Sequence, residues 1–295
     1  MLIKTIQAMQ QDAPEKGRLR IQVQEAGRAL PVEDAVVDIS YTGDPDSTIE
    51  EVTTDANGAT ETLELDAPPL AYSMNPSGNQ PYSEYTFRIS APGYETITIS
   101  GAEILPDETA LQDVQLRPLE QNQPIDTIVI PAHTLYGDYP PKIAEAEIKP
   151  VSQIGEIVLS RVVVPEFVIV HNGVPTDPTA TDYYIRYRDY IKNVASSEIY
   201  ATWPRETIIA NVLAIMSFTL NRVYTEWYRN KGFDFTITSS TAFDHKWIYG
   251  RNIFESISEV VDEVFASYLS RPNVKQPILT QYCDGERVQC PNWMT

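Results

Sequence analysis

Two different periodicities divide this chain. Between residues 19 and 116, apolar and polar positions alternate in LRIQV (19–23), AVVDISY (35–41, with a one-residue irregularity), TLEL (62–65), YTFRI (85–89), TITI (96–99) and LQDVQL (111–116). A period of two sends one face of each run toward a core, so each predicts a half-buried β-strand. Turn sequences separate them: DANG at 55–58, NPSG at 75–78 and APGY at 91–94. Short strands with no helical period between them predict an all-β sandwich over 19–117, behind an N-terminal lead of residues 1–18. Residues 118–150 are Pro-rich and irregular, which predicts a linker carrying one short strand at 127–130.

From residue 151 the period changes. Strands are expected at 156–164 and 166–171, followed by a loop rich in Gly, Pro, Asp and Thr at 172–181. Trp203-Pro204 reads as a helix start, because Pro is tolerated in a first turn. Apolar residues then fall at 208, 209, 212, 213, 216, 220, 223, 224 and 227, the stripe of a core-facing helix. A second helix is expected over 252–269, with Gly250 ahead of it and Pro272 behind it. Between the two helices, 233–247 reads as strand and loop. Residues 151–295 therefore predict an α+β domain.

Charge is uneven. Residues 1–150 hold 25 acids and 9 bases, or −16, and residues 151–295 hold 16 acids and 13 bases, or −3; together they make the net −19. Without clustered Lys and Arg the chain is a poor partner for nucleic acid or an anionic membrane. No run of 18 apolar residues spans a bilayer, and the first residues lack the apolar core and cleavage site of a secretory signal. Cys283 and Cys290 are the two cysteines, enough for one disulfide and too few for a disulfide scaffold.

One carboxylate stands out. Glu198 closes a polar turn, Ala195-Ser196-Ser197-Glu198, just ahead of the long helix, where a carboxyl can be held and partly desolvated by Ile199, Tyr200 and Trp203. Such a group suits general acid work. Glu206 reads as an ordinary first-turn helix acid, and Asp189 as a solvated strand-end residue. Tyr183, Tyr184, Tyr187 and Tyr190, with Arg186 and Arg188 among them, predict an amphipathic strand with at least two rings in the core; the other rings suit stacking on sugar. Ser239, Ser240 and Thr241 offer hydroxyls to a glycan groove, and equally a turn.

Residues 19–117 resemble the carboxypeptidase regulatory-like (transthyretin-like) β-sandwich, on the order of a strand, TTDANGATETLEL and a strand ending APGYETITI. That resemblance implies a non-catalytic attachment. From about residue 150 onward the chain resembles the SpoIID/LytB domain of peptidoglycan-processing proteins, and within it the SleC-type spore cortex-lytic enzymes. The resemblance rests on YIKNVASSEIYATWP, SFTLNRVYTEWY, the TSST stretch with YGR after it, and YCDGERVQCP.

The resemblance implies a lytic transglycosylase that opens the glycan strands of spore cortex peptidoglycan during germination. Glu198 is then its acid and base, and Ser197, Tyr200, Ser239, Ser240 and Thr241 touch substrate. It further implies a front domain that acts as a prosegment, an activating subtilisin-like germination protease cutting somewhere in 118–150, and residence in the spore or another extracytoplasmic wall. Cys283 and Cys290 pin the C-terminal loop, as a disulfide or as two buried thiols. SpoIID domains commonly place metal-holding His and Cys after the Ser-Thr pair. Here Ala242 and Phe243 stand there, with His245 alone nearby, so no metal or other cofactor is expected. The helix Arg usual near 216–218 is also missing, with Arg222 two turns on. The chain ends where such enzymes continue, which implies a shortened catalytic domain. The rival expectations are a glycan-binding scaffold, a hydrolase with a second carboxylate, and, with least support, an adhesin.

Overall fold

The computed structural model describes residues 14–75, 78–119, 126–135, 139–143, 145 and 158–283. It is a β-rich, multi-domain fold with three mixed sheets and a few helices. Two compact units share the chain. The first contains residues up to 132 together with 200–203 and 249–256; the second contains 133–199, 204–248 and 257 onward.

All six strands expected in the front half are present: β1 (Glu15–Glu25), β2 (Val36–Tyr41), β4 (Leu63–Ala67), β5 (Ser83–Ser90), β6 (Ile97–Ile104) and β7 (Thr109–Leu116). Between β2 and β4 lies β3 (Asp44–Thr53), which the alternation did not reveal because nearly every one of its residues is exposed. It pairs antiparallel with β2, with register shifts between Ile39 and Tyr41. A short helix, α1 (Ala71–Met74), precedes β5. The strand expected at 127–130 is β8 (Asp126–Val129).

These strands form a five-stranded sheet in the order β3-β2-β5-β6-β8 and a four-stranded sheet that includes β7, β1 and β4. Leu19, Ile21 and Val23 of β1, Ile39 of β2, Phe87 of β5 and Ile99 of β6 are all fully buried. Burying such side chains is the main term holding the unit together. Gly58 explains the DANG turn: at φ +74° it brings the backbone so close to Val23 that a Cβ would strike its carbonyl.

The second unit is built on a three-stranded sheet in the order β10-β9-β11, from β9 (Phe167–His171), β10 (Asp182–Arg186) and β11 (Ile237–Thr238). Residues 158–164 are not a strand, contrary to expectation; their side chains do not sustain a buried face, and 156–157 lie outside the described residues. The tyrosine-rich stretch also departs from expectation. Its strand ends at Arg186, and α2 (Tyr187–Glu198) begins at the third tyrosine. Tyr187 and Tyr190 are in the core while Tyr184 is 73% exposed.

The long helix is α3 (Arg205–Tyr224), with Pro204 as its N-cap. By length and composition it could cross a membrane, but most of it is buried in the protein. The second expected helix is shorter, α4 (Glu255–Val264), because Ile253–Phe254 is strand β12, which pairs antiparallel with β7 at the edge of the four-stranded sheet of the first unit.

Candidate active site around Glu198

Glu198 is the last residue of α2 and is half-buried. The sequence suggested a turn ahead of a helix, but residues 195–198 are the closing turn of one. Tyr187, Tyr190, Ile191 and Val194 recur at helical spacing and are all buried. The Ser197 hydroxyl turns back to donate to the Asn193 carbonyl at 2.8 Å, a bond within the helix. This placement has electrostatic consequences. Unpaired carbonyls at a helix C-terminus carry negative partial charge, which favours a protonated carboxyl over an ionised one.

Both carboxylate oxygens have partners. The backbone N–H of Lys246 donates to Oε1 at 2.8 Å, and the hydroxyl of Tyr282 donates to Oε2. Burial is the largest influence and raises the Glu198 pKa, against the opposing pull of the Lys142 cation, the Tyr282 hydroxyl, and the amide and charge of Lys246. The Lys142 ammonium lies 5.0 Å above the Tyr282 ring and 5.4 Å from the Phe218 ring, and it donates to the Asp244 carbonyl at 2.9 Å. Its own pKa is lowered, mainly by burial.

The loop carrying Lys246 is held from both ends. Asn193 clips it by donating to the Ile248 carbonyl at 2.7 Å and accepting from the Ile248 N–H at 3.0 Å. At the other end Asp244 is fully buried. It accepts from Arg222 Nε (2.6 Å), the Tyr228 hydroxyl (2.5 Å), and the Thr238 N–H and hydroxyl (2.9 and 2.7 Å). Arg222 also makes a two-pronged pair with Glu145 at 2.7 and 2.8 Å. Burial works to lower the Arg222 pKa, yet the two carboxylates outweigh it and keep the guanidinium charged. Arg222 is thus a structural cation, which the sequence did not reveal.

His245 sits between Glu198's neighbours. Its ring packs 4.5 Å from Phe218 and 6.1 Å from Tyr282, and Nδ1 shares a 3.1 Å hydrogen bond with the Tyr190 hydroxyl. Nε2 is buried without a hydrogen-bond partner. Burial, then the Lys142 and Arg222 cations, push its pKa well below the ordinary value, so the ring is neutral. Among the described residues no three His, Cys, Asp or Glu side chains are grouped to hold a metal.

The remaining candidates lie as follows. Ser239, Ser240 and Thr241 are half-buried. Ser239 donates to the Asn172 side chain at 2.9 Å, and the Ser240 carbonyl receives the N–H groups of Phe243 and Asp244, so this stretch forms the turn that delivers Asp244 to its site. Tyr200 belongs to the first unit, its ring edge-on to Trp203, whose indole N–H donates to the Ser73 carbonyl at 3.0 Å. Within the second unit the groups that act on the Glu198 carboxyl are Lys142, Tyr282 and Lys246, all of which oppose the effect of its burial. Cys283 is disulfide-bonded; Cys290 lies outside the described residues. Asp189 and Glu206 are exposed in the first turns of α2 and α3.

No family model matches the chain, and neither does any curated protein. Solved structures match weakly. The Bacillus anthracis TIE protein is 17% identical over 36% of this chain, with a TM-score of 0.25. 3-Chlorocatechol 1,2-dioxygenase from Rhodococcus opacus 1CP is 13% identical over 37%, at 0.26. GBS52, the minor pilin of Streptococcus agalactiae, is 10% identical over 37%, also at 0.26. The chain spans 17%, 62% and 48% of those proteins respectively. Scores of this size assign neither fold nor function.

Proposed function

We propose that this chain is a SpoIID/LytB-type lytic transglycosylase of peptidoglycan, nearest the SleC-type enzymes that open spore cortex in germination, with a transthyretin-like front domain. The observation that carries this reading is a half-buried carboxyl with a raised pKa, clamped by a backbone N–H and a tyrosine hydroxyl, at the glutamate the sequence motif singles out.

With the Lys246 N–H on Oε1, the catalytic proton belongs on Oε2, where the Tyr282 hydroxyl can turn from donor to acceptor. Glu198 passes that proton to the glycosidic oxygen as the bond from C1 to that oxygen breaks. The resulting carboxylate takes the proton of the sugar's own C6 hydroxyl. The freed O6 then bonds to C1, leaving a 1,6-anhydromuramic end, a restored carboxyl and no water consumed. Cleavage in 118–150 by a subtilisin-like germination protease is the proposed activating step.

A second reading has one observation in its favour. Both Glu198 oxygens already have partners inside the protein, as in a structural carboxylate of a glycan-binding scaffold. Cortex fragments incubated with the wild type and with Glu198→Gln separate the two readings by mass spectrometry. The transglycosylase yields anhydromuramic ends, reduced by about 100-fold or more in the variant. Reducing ends would mean hydrolysis, and binding without product would mean the scaffold.

A further inference from the structure

The first unit is completed by residues from far along the sequence. Its five-stranded sheet ends on β8 and its four-stranded sheet ends on β12, so each sheet takes one edge strand from beyond residue 125. β8 lies parallel to β6 from Ile97 to Ser100, and β12 sets Ile253 against Leu111 and Phe254 against Ala110. Phe254 is fully buried. A Cβ on Gly250 would fall 2.8 Å from the Ile128 side chain, so the two late segments also meet each other.

Polar bonds reinforce the strands. Arg251 and Glu103 form an ion pair at 2.9 Å with both side chains essentially inaccessible. Asn252 pairs with the Glu103 backbone in both directions, at 3.0 and 2.9 Å. Gln112 donates to the Gly250 carbonyl at 3.1 Å, and Thr202 and Trp203 both bond Ser73. Breaking such contacts would expose an unpaired buried charge and two bare sheet edges, each costly in water.

We propose that cutting the chain between Leu119 and Asp126 leaves the front unit whole, with β8, residues 200–203 and residues 249–256 retained in it, so that the two pieces stay together. The retention stands on these contacts alone. Its consequence for regulation rests on the transglycosylase reading: a proteolytic step there would act by freeing a chain end, with the front domain still in place.

The test is a protein with a specific protease site inserted between Leu119 and Asp126, cleaved to completion and run on native size exclusion at micromolar concentration. Both pieces are expected in one peak at the 33.2 kDa position of the uncut chain, separating only in denaturant. A front piece that elutes alone overturns the proposal. Arg251→Met in the cut protein is expected to shift material from the joint peak to separate ones. Circular dichroism of the uncut variant checks that it folds, and Gln112→Ala serves as the milder substitution if it does not. Cortex digestion by the same samples reads the function independently. Joined pieces with no anhydro ends would sink the enzyme reading and leave the retention intact. Separated pieces that release anhydro ends would do the reverse.

Discussion

At the scale of residues, Glu198 is governed by groups that do not adjoin it in sequence. Lys142 comes from the stretch read as linker, Lys246 from the loop after β11, and Tyr282 from near the C-terminus. The Tyr282 hydroxyl favours the ionised carboxyl, so Tyr282→Phe is expected to raise the Glu198 pKa further. A carbon-13 titration of the carboxyl measures this directly, and the basic limb of any activity profile should move up with it. An unchanged titration would show that Tyr282 does not govern the group. His245 has the opposite linkage. Its folded pKa is depressed, so the unfolded chain binds a proton first and the stability His245 contributes is present above pH ~6.5 and lost as pH falls below it. The denaturant midpoint should fall further between pH 7.5 and pH 5.5 in the wild type than in His245→Leu. The sequence could single out Glu198 as a candidate through the residues beside it; it could not name Lys142 and Tyr282 as its neighbours, since no short-range pattern records that they converge.

At the scale of elements, alternation disclosed the strands that bury one face and missed β3, whose exposed residues leave no apolar period. In α2 the helical spacing of Tyr187, Tyr190, Ile191 and Val194 was present but masked by the preceding strand, whose tyrosines share its character. That helix and the loop at 244–248 act together, since Asn193 holds Ile248 while Glu198 holds Lys246. Asn193→Ala leaves the two backbone groups of Ile248 without their partner and is expected to cost about 1–3 kcal/mol. Urea unfolding reads the loss, and faster hydrogen exchange at the Lys246 amide would show that the loop no longer presents its N–H to Glu198. Slow exchange at that amide in the variant would mean that Asp244 alone fixes the loop.

At the scale of the whole molecule, the decisive feature is that sequence order and compact unit do not coincide. Phe254 follows α3 in the chain yet its strand finishes the first unit. Phe254→Ala is therefore expected to destabilise the front unit by about 3–5 kcal/mol, seen as a lowered thermal midpoint of its β signal. A midpoint unchanged there would show that β12 contributes little. By itself the sequence determined six front strands, the α3 stripe and the turn at Gly58, because each is written in neighbouring residues through period or backbone freedom. The tertiary structure alone decided what surrounds Glu198, the role of Arg222, and which late segments close the two sheets. Those depend on contacts between residues dozens to more than a hundred positions apart, and local periodicity carries no term for such contacts.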